Sequence, residues 1–247
     1  MDDRPLPETC CPEQPTLWIQ PGQATYLGPS FDLGPHSGSV HCFALGIDAP
    51  FELHAADIGE QRVRSAFIPA RTRHQIIART GRMLFSYSLS NNARELMAVR
   101  TKTVAYNHRD ERALIQSVRT APAPLRLTTE TKLDERIRAA MRALRADPDL
   151  SAATLAAKTH LSTSRFLHLF TENAGTTLRR YRMWTRMTRV AAAISTGANL
   201  TTAATDAGFA SANHFSDTFR TMFGLTASTL LAVGTRIVTQ RSAEAAG

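Results

Sequence analysis

The sequence predicts an α+β protein of two domains, a small β-barrel or sandwich followed by an all-α domain of about seven helices. Short apolar runs between Gly and Pro turns fill residues 16–90, which is typical of a barrel or sandwich. Beyond residue 134 the apolar spacing changes to the helical period. Pro122 and Pro124 lie between these halves, and because neither fits a helix interior they indicate a linker.

Charge is distributed unevenly along the chain, which has 247 residues and a net charge of +8. Residues 1–124 hold 13 basic and 12 acidic residues, whereas residues 125–247 hold 16 and 9. This asymmetry is typical of a neutral domain joined to one that binds a polyanion, and a basic surface without a dedicated partner is the alternative. The acidic, Pro-rich N-terminus and the lack of a long apolar run predict a cytoplasmic protein with no membrane partner.

The turn signals divide the N-terminal half into seven candidate strands. The predicted domain bounds are a loose tail at 1–15, a β domain at 16–120, a linker at 121–130, a helical domain at 131–234 and a tail at 235–247. Within the β domain, residues 91–119 are expected to be helical. The strands are predicted at Thr16–Ile19, Ala24–Leu27, Val40–Ile47, Phe51–His54, Arg64–Ile68, His74–Ala78 and Met83–Leu89. The predicted core comprises Leu45, Ile47, Phe51, Leu53, Phe67, Ile76, Leu84 and Phe85.

The helical half contains one pattern twice, a helix, a tight turn and a second helix, at residues 155–170 and 203–219. In each copy a large apolar residue lies in the turn, and two Phe residues at i, i+4 anchor the second helix on one face. The second helices are predicted at 162–172 and 211–222. The apolar residues are Leu161, Phe166 and Phe170 in the first copy, and Phe209, Phe215 and Phe219 in the second.

If these residues face inward, a turn of about 100° per residue places small and polar side chains on the outward face. Such a stripe near a helix N-terminus is what a reader of the DNA major groove presents. A helical hairpin with a solvated polar face is the alternative, and two copies in a basic half favour the groove. The outward residues are Ser164, His168 and Thr171 with Leu167 beside them, and Asn213, Asp217 and Arg220 with Ser216 beside them.

A predicted helix over Thr177–Ser195 connects the two copies. It would be roughly 28 Å long, which can place two reading helices about one duplex turn apart. Because no acid lies between Glu172 and Asp206, the arginines of this helix are expected to contact phosphates rather than form a solvated face. The predicted phosphate contacts are Arg179, Arg182, Arg186 and Arg189, together with Arg220 of the second reading helix.

Residues 134–232 resemble the DNA-binding domain of AraC/XylS-type transcription regulators. The resemblance implies a regulator that binds double-stranded promoter DNA as one module with two reading helices. The matching segments are Leu155-Ala-Ala, Leu161-Ser162, Phe166-x-x-Leu169-Phe170, Gly175-Thr-Thr, Tyr181-Arg182, Arg186-Met187, Ala207-Gly208-Phe209, Ser211, His214-Phe215-Ser216, Phe219 and Phe223-Gly224-Leu-Thr226. By resemblance, Ser164, Leu167 and His168 face bases in one groove segment, and Ala212, Asn213, Ser216 and Asp217 face the next.

Three positions depart from the pattern of that family. Asp217 stands where the family often has Arg, so it would repel phosphate or accept a hydrogen bond from cytosine N4. Ala227 replaces a frequent Pro, and Leu230-Leu231 replaces a frequent aromatic-Arg pair. These departures affect base preference and the last helix rather than the fold.

The N-terminal half resembles, more weakly, the cupin-like sensor domains of these regulators at Phe67-Ile-Pro-Ala-Arg-Thr-Arg-His74. This resemblance implies binding of a small-molecule effector or dimerisation. His41, His54 and His74 could form a metal site, but the clustered His-x-His with a following Glu is missing, so no metal is expected. RNA polymerase and a second copy of the chain are further candidate partners.

Two other functions are retained as alternatives. A metal-dependent cupin enzyme with a helical appendage would need His and Glu ligands that converge within residues 36–90. A helical interaction protein would bind an acidic partner protein through its basic face and no DNA duplex. No Ser/His/Asp or Cys/His arrangement with catalytic spacing and no Gly-rich phosphate loop is present, so we expect neither an enzyme nor a cofactor.

Overall fold

The computed structural model describes residues 14–20, 22–88, 103–124 and 133–239, and in them two packed β-sheets are followed by a helical region. The predicted α+β class is confirmed, with seven helices from residue 135 onward. The sheets form a sandwich that does not close into a barrel. No helix of the described ranges has the length and apolar character that crossing a bilayer requires.

The described residues contain eleven strands and eight helices. The strands are β1 (Thr16–Gln20), β2 (Gln23–Pro29), β3 (Asp32–His36), β4 (His41–Gly46), β5 (Phe51–Ala55), β6 (Gly59–Val63), β7 (Ser65–Ile68), β8 (His74–Ile77), β9 (Arg82–Ser88), β10 (Ala105–Tyr106) and β11 (Arg236–Thr239). The helices are α1 (Glu111–Thr120), α2 (Glu135–Ala146), α3 (Ala152–Lys158), α4 (Thr163–Ala174), α5 (Leu178–Ser195), α6 (Leu200–Asp206), α7 (Ala212–Phe223) and α8 (Ala227–Ala232).

The sandwich packs a seven-stranded sheet, in the order β10-β7-β4-β9-β2-β1-β11, against a four-stranded sheet in the order β3-β8-β5-β6. All strand pairs are antiparallel except β1 with β11. The seven predicted strands are present, and all eight predicted core residues are at most 3% exposed. Alternating apolar residues therefore identified the inner faces of these strands correctly.

Two strands within the predicted β region escaped the sequence analysis because their residues lack an alternating apolar pattern. β3 has the sequence DLGPH, which reads as a turn, and its hydrogen bonds to β8 shift register between Leu33 and His36. β6 has the sequence GEQRV and is an edge strand with four of its five residues outside the core. Edge strands with polar side chains resist unwanted pairing, and this makes them hard to recognise.

The predicted tail at 235–247 is wrong for Arg236–Thr239, which form β11 and pair with β1. The chain thus returns from the helical region to extend the N-terminal sheet. The Arg236 amide donates to the Pro15 carbonyl at 2.7 Å. The open edge of β1 supplies the hydrogen-bond partners of β11, and because β1 is distant along the chain, local sequence patterns do not predict this pairing.

The structure describes residues 103–119 of the helix predicted over 91–119 and confirms it only in part. Only Glu111–Thr120 is helical within the described part of that range, and Ala105–Tyr106 forms a short strand beside β7. The remainder, residues 91–102, lies outside the described residues, as do residues 125–130 of the predicted linker. Residues 121–124 contain neither helix nor strand, which agrees with a linker.

The helical region divides between two hydrophobic cores. The first helix-turn-helix unit packs with α2 and the start of α5 in a core of its own, which includes Leu144, Phe166 and Tyr181. The second unit, with Phe209 and Phe215, shares one continuous core with the β-sandwich. The second unit is therefore attached to the N-terminal sheets, whereas the first is attached to the rest of the molecule through helices.

Candidate DNA-binding interface

The two helix-turn-helix units have the same local construction. In the first, the Leu161 amide donates to the Ala156 carbonyl at 3.0 Å, and the Ser162 hydroxyl caps α4 by accepting from the Arg165 amide. In the second, the Phe209 amide donates to the Ala204 carbonyl at 3.1 Å. Each turn therefore bonds its apolar residue back to the preceding helix, with Phe209 buried and Leu161 half-buried.

The caps of the second unit complete the correspondence. The Ser211 hydroxyl accepts from the His214 amide at 3.1 Å and begins α7. Gly175 and Gly224 end the two reading helices with φ of 62° and 76°, in the left-handed region that glycine enters without strain. Side-chain caps satisfy the free amides at a helix start, and this fixes where each reading helix begins.

The reading helices α4 and α7 bury their Phe anchors. Phe166 and Phe170 are fully buried in the first unit, and Phe215 is 1% exposed in the second, with Phe219 half-buried beside it. This burial turns the opposite faces of both helices outward. The predicted inward and outward faces are thus those of the structure.

Five of the seven predicted base-facing residues are exposed and two are half-buried. None lies in a hydrophobic core. Leu167 is one of the large apolar residues with substantial exposure, at 38%. The exposed residues are Ser164, Leu167, His168, Asn213 and Asp217, and the half-buried residues are Ala212 and Ser216.

His168 has a partner within its own helix. Its Nε2 atom lies 3.0 Å from Oε1 of Glu172, one helical turn away, and both side chains are more than half exposed. An exposed side-chain contact of this type is worth at most about 1 kcal/mol, so a base could replace Glu172 at little cost.

The structure gives three of the five predicted phosphate-binding arginines partners within the protein. Arg186 pairs with Asp149, and Arg182 donates to the Leu150 carbonyl. Arg189 donates to the carbonyls at the end of α2, including that of Arg145 at 3.1 Å. These contacts attach α5 to the segment between α2 and α3 and satisfy carbonyl groups that the end of α2 leaves free.

The expectation that no acid pairs with the arginines of α5 fails for Arg186, because Asp149, which lies outside residues 172–206, folds back onto α5. Arg179 and Arg220 are exposed, and for them a role at phosphates remains a prediction. Arg165 was missed by the sequence analysis. It is exposed in the first turn of α4, directly after Ser164, and arginine at such a position is the commonest reader of guanine.

The three histidines considered for a metal site do not converge. His54 faces out of the four-stranded sheet beside Glu52 and Glu60, whereas His41 and His74 are buried. His41 accepts a hydrogen bond from the Ala70 amide at 3.0 Å. The three histidines therefore do not form the joint metal site that the sequence analysis considered for them.

His74 lies beside a different histidine, His36, with 4.1 Å between ring centroids. Both rings are nearly fully buried where β3 meets the end of α7. Burial, followed by the proximity of His74, lowers the pKa of His36 to about 3, and burial lowers that of His74. Both rings are therefore neutral near pH 7.

An apolar cavity with a volume of about 80 Å³ lies between the β-sandwich and the helices. Except for Thr188, its walls are apolar or aromatic, with Tyr26 and Phe85 from the sheet and Trp184 and Phe223 from the helices. An adjoining pocket shares Trp184 and Thr188 with it and is also lined by Arg145 and Arg189. Concave, mostly apolar sites with a few polar groups nearby are where small molecules commonly bind.

Comparison with known proteins agrees with this geometry. The family described as "Helix-turn-helix domain" matches residues 155–232, and no curated protein matches the sequence. The fold is similar to apo ToxT from Vibrio cholerae, with a TM-score of 0.58, 11% identity and coverage of 86% of this chain and 97% of that one. Wild-type ToxT from Vibrio cholerae bound to an unsaturated fatty acid gives a TM-score of 0.54 and 10% identity, covering 85% of this chain and 94% of that one.

Proposed function

We propose that the chain, whose residues 155–232 match a helix-turn-helix domain family, is an AraC-type DNA-binding transcription regulator that reads two successive major-groove segments of promoter DNA with α4 and α7. The observation that carries this proposal is the repeated construction of the two units, each of which turns a small polar stripe to solvent. A helix of 18 residues connects them and spans about 27 Å, close to one duplex turn.

The chemistry of the exposed side chains suggests what each unit reads. Asn213 matches the paired donor and acceptor of adenine, and Asp217 can accept from cytosine N4. Arg165 in the first unit matches guanine, and Ser164 and His168 lie on the same exposed stretch of α4. Leu167 would contact a thymine methyl group.

Backbone contacts are assigned to Arg179 and Arg220. Both are exposed, on α5 and on the last turn of α7, and neither is among the arginines that the α2–α3 segment engages. Phosphate contacts of this kind raise affinity for every sequence and determine how the protein is positioned on the duplex.

We further propose that a small amphipathic molecule binds the apolar cavity and modulates DNA binding. The cavity has walls from both the sandwich and the helices, so an occupant would contact the sheet and α7 at once. Arg145, in the adjoining pocket, offers a charge for an acidic group. The similar ToxT structure with a bound unsaturated fatty acid supports a ligand of this class.

RNA polymerase and a second copy of the chain are proposed as further partners. A regulator of transcription acts on polymerase, and pairing of two copies would double the length of DNA that is read. Sedimentation of the full chain with and without its selected DNA tests the second of these.

Selection of binding sites from random duplexes with the full chain tests the DNA assignment. We expect a site with two conserved segments about one helical turn apart. In Asn213→Ala, preference should relax at one or two base pairs by about 1–3 kcal/mol, while the rest of the site is retained. Gln116→Ala, on an exposed face of α1, is the matched control. Absence of any selected sequence at low salt would contradict the proposal and favour an acidic protein partner.

Thermal shift and DNA affinity with oleic acid and its methyl ester test the ligand assignment. We expect the acid to raise the melting temperature and to change DNA affinity, since the occupied cavity borders α7. Ala191→Phe fills the cavity wall and should abolish both effects, whereas Ala139→Phe on the exposed face of α2 should not. Arg145→Gln should reduce the preference for the acid over the ester. If oleic acid still binds the Ala191→Phe variant, the ligand site lies outside this cavity and the assignment is wrong.

A further inference from the structure

The outer face of the four-stranded sheet carries a cluster of metal-binding side chains that DNA binding does not use. Along β5, Phe51, Leu53 and Ala55 are buried, so Glu52 and His54 lie on the opposite face. Glu60 on β6 is directly opposite His54 in the antiparallel register. Alternation along one strand and pairing across two strands thus bring the three side chains together.

We propose that Glu52, His54 and Glu60 bind a divalent transition-metal ion, for which Zn²⁺ is the best match. One ligand atom from each residue lies within 4.8 Å of the other two. Around tetrahedral Zn²⁺, with bonds of about 2.1 Å, ligand atoms lie about 3.4 Å apart, so small side-chain rotations complete the site. One imidazole and two carboxylates suit Zn²⁺ and leave a fourth position for water.

A second observation points to a ligand at this place. Although the His54 side chain is 35% exposed, its Nε2 atom is shielded from solvent and has no hydrogen-bond partner among the described residues. The nearest carboxylate oxygen, Oε2 of Glu60, is 4.0 Å away, beyond hydrogen-bond distance. A shielded polar atom without a partner is costly, and a bound ion between Nε2 and this oxygen would satisfy both.

Arg79 competes for one of the ligands. Its Nη1 atom lies 3.8 Å from Oε1 of Glu52, and its side chain is 69% exposed. An exposed ion pair of this geometry contributes little free energy, so the guanidinium can turn into solvent when a metal ion arrives. The sequence analysis grouped His54 with His41 and His74, whereas the structure gives it carboxylate partners instead.

Metal binding here would stabilise the edge of the sandwich. β6 is the last strand of its sheet and is held by β5 alone within that sheet. An ion shared by two residues of β5 and one of β6 would link these strands through their side chains. Because the site lies outside the helix-turn-helix units, this inference is independent of the proposed DNA reading.

Titration of the full chain with Zn²⁺ in competition with a fluorescent chelator tests the site. Cys10 and Cys11 are replaced by Ser throughout, because adjacent thiols bind Zn²⁺ too. We expect one Zn²⁺ per chain and a rise in melting temperature on binding. His54→Gln and Glu60→Gln should each weaken binding about 100-fold, since losing a ligand costs at least as much as losing an outer partner.

Two further variants sharpen the test. Arg79→Gln should strengthen binding because it frees Glu52, while His160→Gln, which removes an exposed histidine far along the sequence, should bind as the parent does. Equal affinity in the parent and His54→Gln, or no one-to-one binding, would overturn the proposal.

Discussion

The amide nitrogen of Gly34 lies 2.8 Å from the carbonyl oxygen of Gly224, and this hydrogen bond joins the N-terminal sheets to the end of the second reading helix. A second bond, from the Ser37 amide to the Thr221 carbonyl at 3.0 Å, lies beside it. Both contacts are at the C-terminal end of α7, whereas its base-facing residues lie in the N-terminal half. The sandwich therefore holds the reading helix without covering the face that reads.

Replacement of Gly224 by Ala should disrupt this junction. An added Cβ would lie 2.6 Å from the Gly34 oxygen and 2.7 Å from Nδ1 of His36, at a φ of +76°. We expect Gly224→Ala to lower the free energy of unfolding by about 2–4 kcal/mol, from backbone strain and lost contacts. Gly197→Ala is the matched control, since its φ is +96° and no atom of the described residues lies within 4 Å of the added Cβ, so about 1 kcal/mol is expected. Urea unfolding measures the free energy of unfolding of both variants, and equal decreases would argue against a tight junction.

Stability should fall in mild acid because of the buried histidine at the same junction. The pKa of His36 is lowered to about 3 by burial and by His74. In the unfolded chain the imidazole has a pKa of about 6.5, so it binds a proton that it does not bind in the folded protein. Between these values the free energy of unfolding should therefore decrease as pH falls, by up to about 1.4 kcal/mol per pH unit.

The variant His36→Asn keeps a polar side chain that does not titrate, so its stability should depend less steeply on pH between 6 and 4. His160→Gln, at an exposed turn, should keep the slope of the parent. Unfolding by urea at several pH values supplies the comparison. An unchanged slope in His36→Asn would show that other groups cause the acid sensitivity.

The arginines of α5 should separate into two classes in DNA titrations. Arg179→Ala should weaken binding to all sequences and lower the slope of log affinity against log salt by about 0.9, because one phosphate contact is lost. Arg186→Ala should instead lower the free energy of unfolding by about 1 kcal/mol, since its partner is Asp149. Its salt slope should match that of the parent. A reduced slope in Arg186→Ala would restore the phosphate role that the sequence predicted for it.

Removal of β11 should loosen the sandwich. A chain that ends after Thr235 loses the four pairs with β1 and the half-buried Ile237 and Val238. We expect a loss of about 1–3 kcal/mol in the free energy of unfolding and faster hydrogen exchange at β1. A chain that ends after Thr239 retains the strand and serves as the control. Equal stability of the two truncations would mean that β11 contributes nothing to the sheet.

Local chemistry in the sequence determined most of the helical half. Ser162, Ser211 and the two terminal glycines, Gly175 and Gly224, act through hydrogen bonds and backbone angles within a few residues of themselves, so helix bounds could be predicted from them. The Phe pairs identified which faces are inward because helical spacing alone decides it. The strands with alternating apolar residues were recognised because this alternation likewise defines which face is buried.

Tertiary structure alone decided which partners meet across the chain. Asp149 pairs with Arg186, Glu60 lies opposite His54, and β11 finds the edge of β1, each through a separation that no local pattern records. The union of the second helix-turn-helix unit with the sandwich core has the same origin. Spacing along a chain defines faces and ends, but packing defines neighbours, since burial joins whichever apolar surfaces the fold brings into contact.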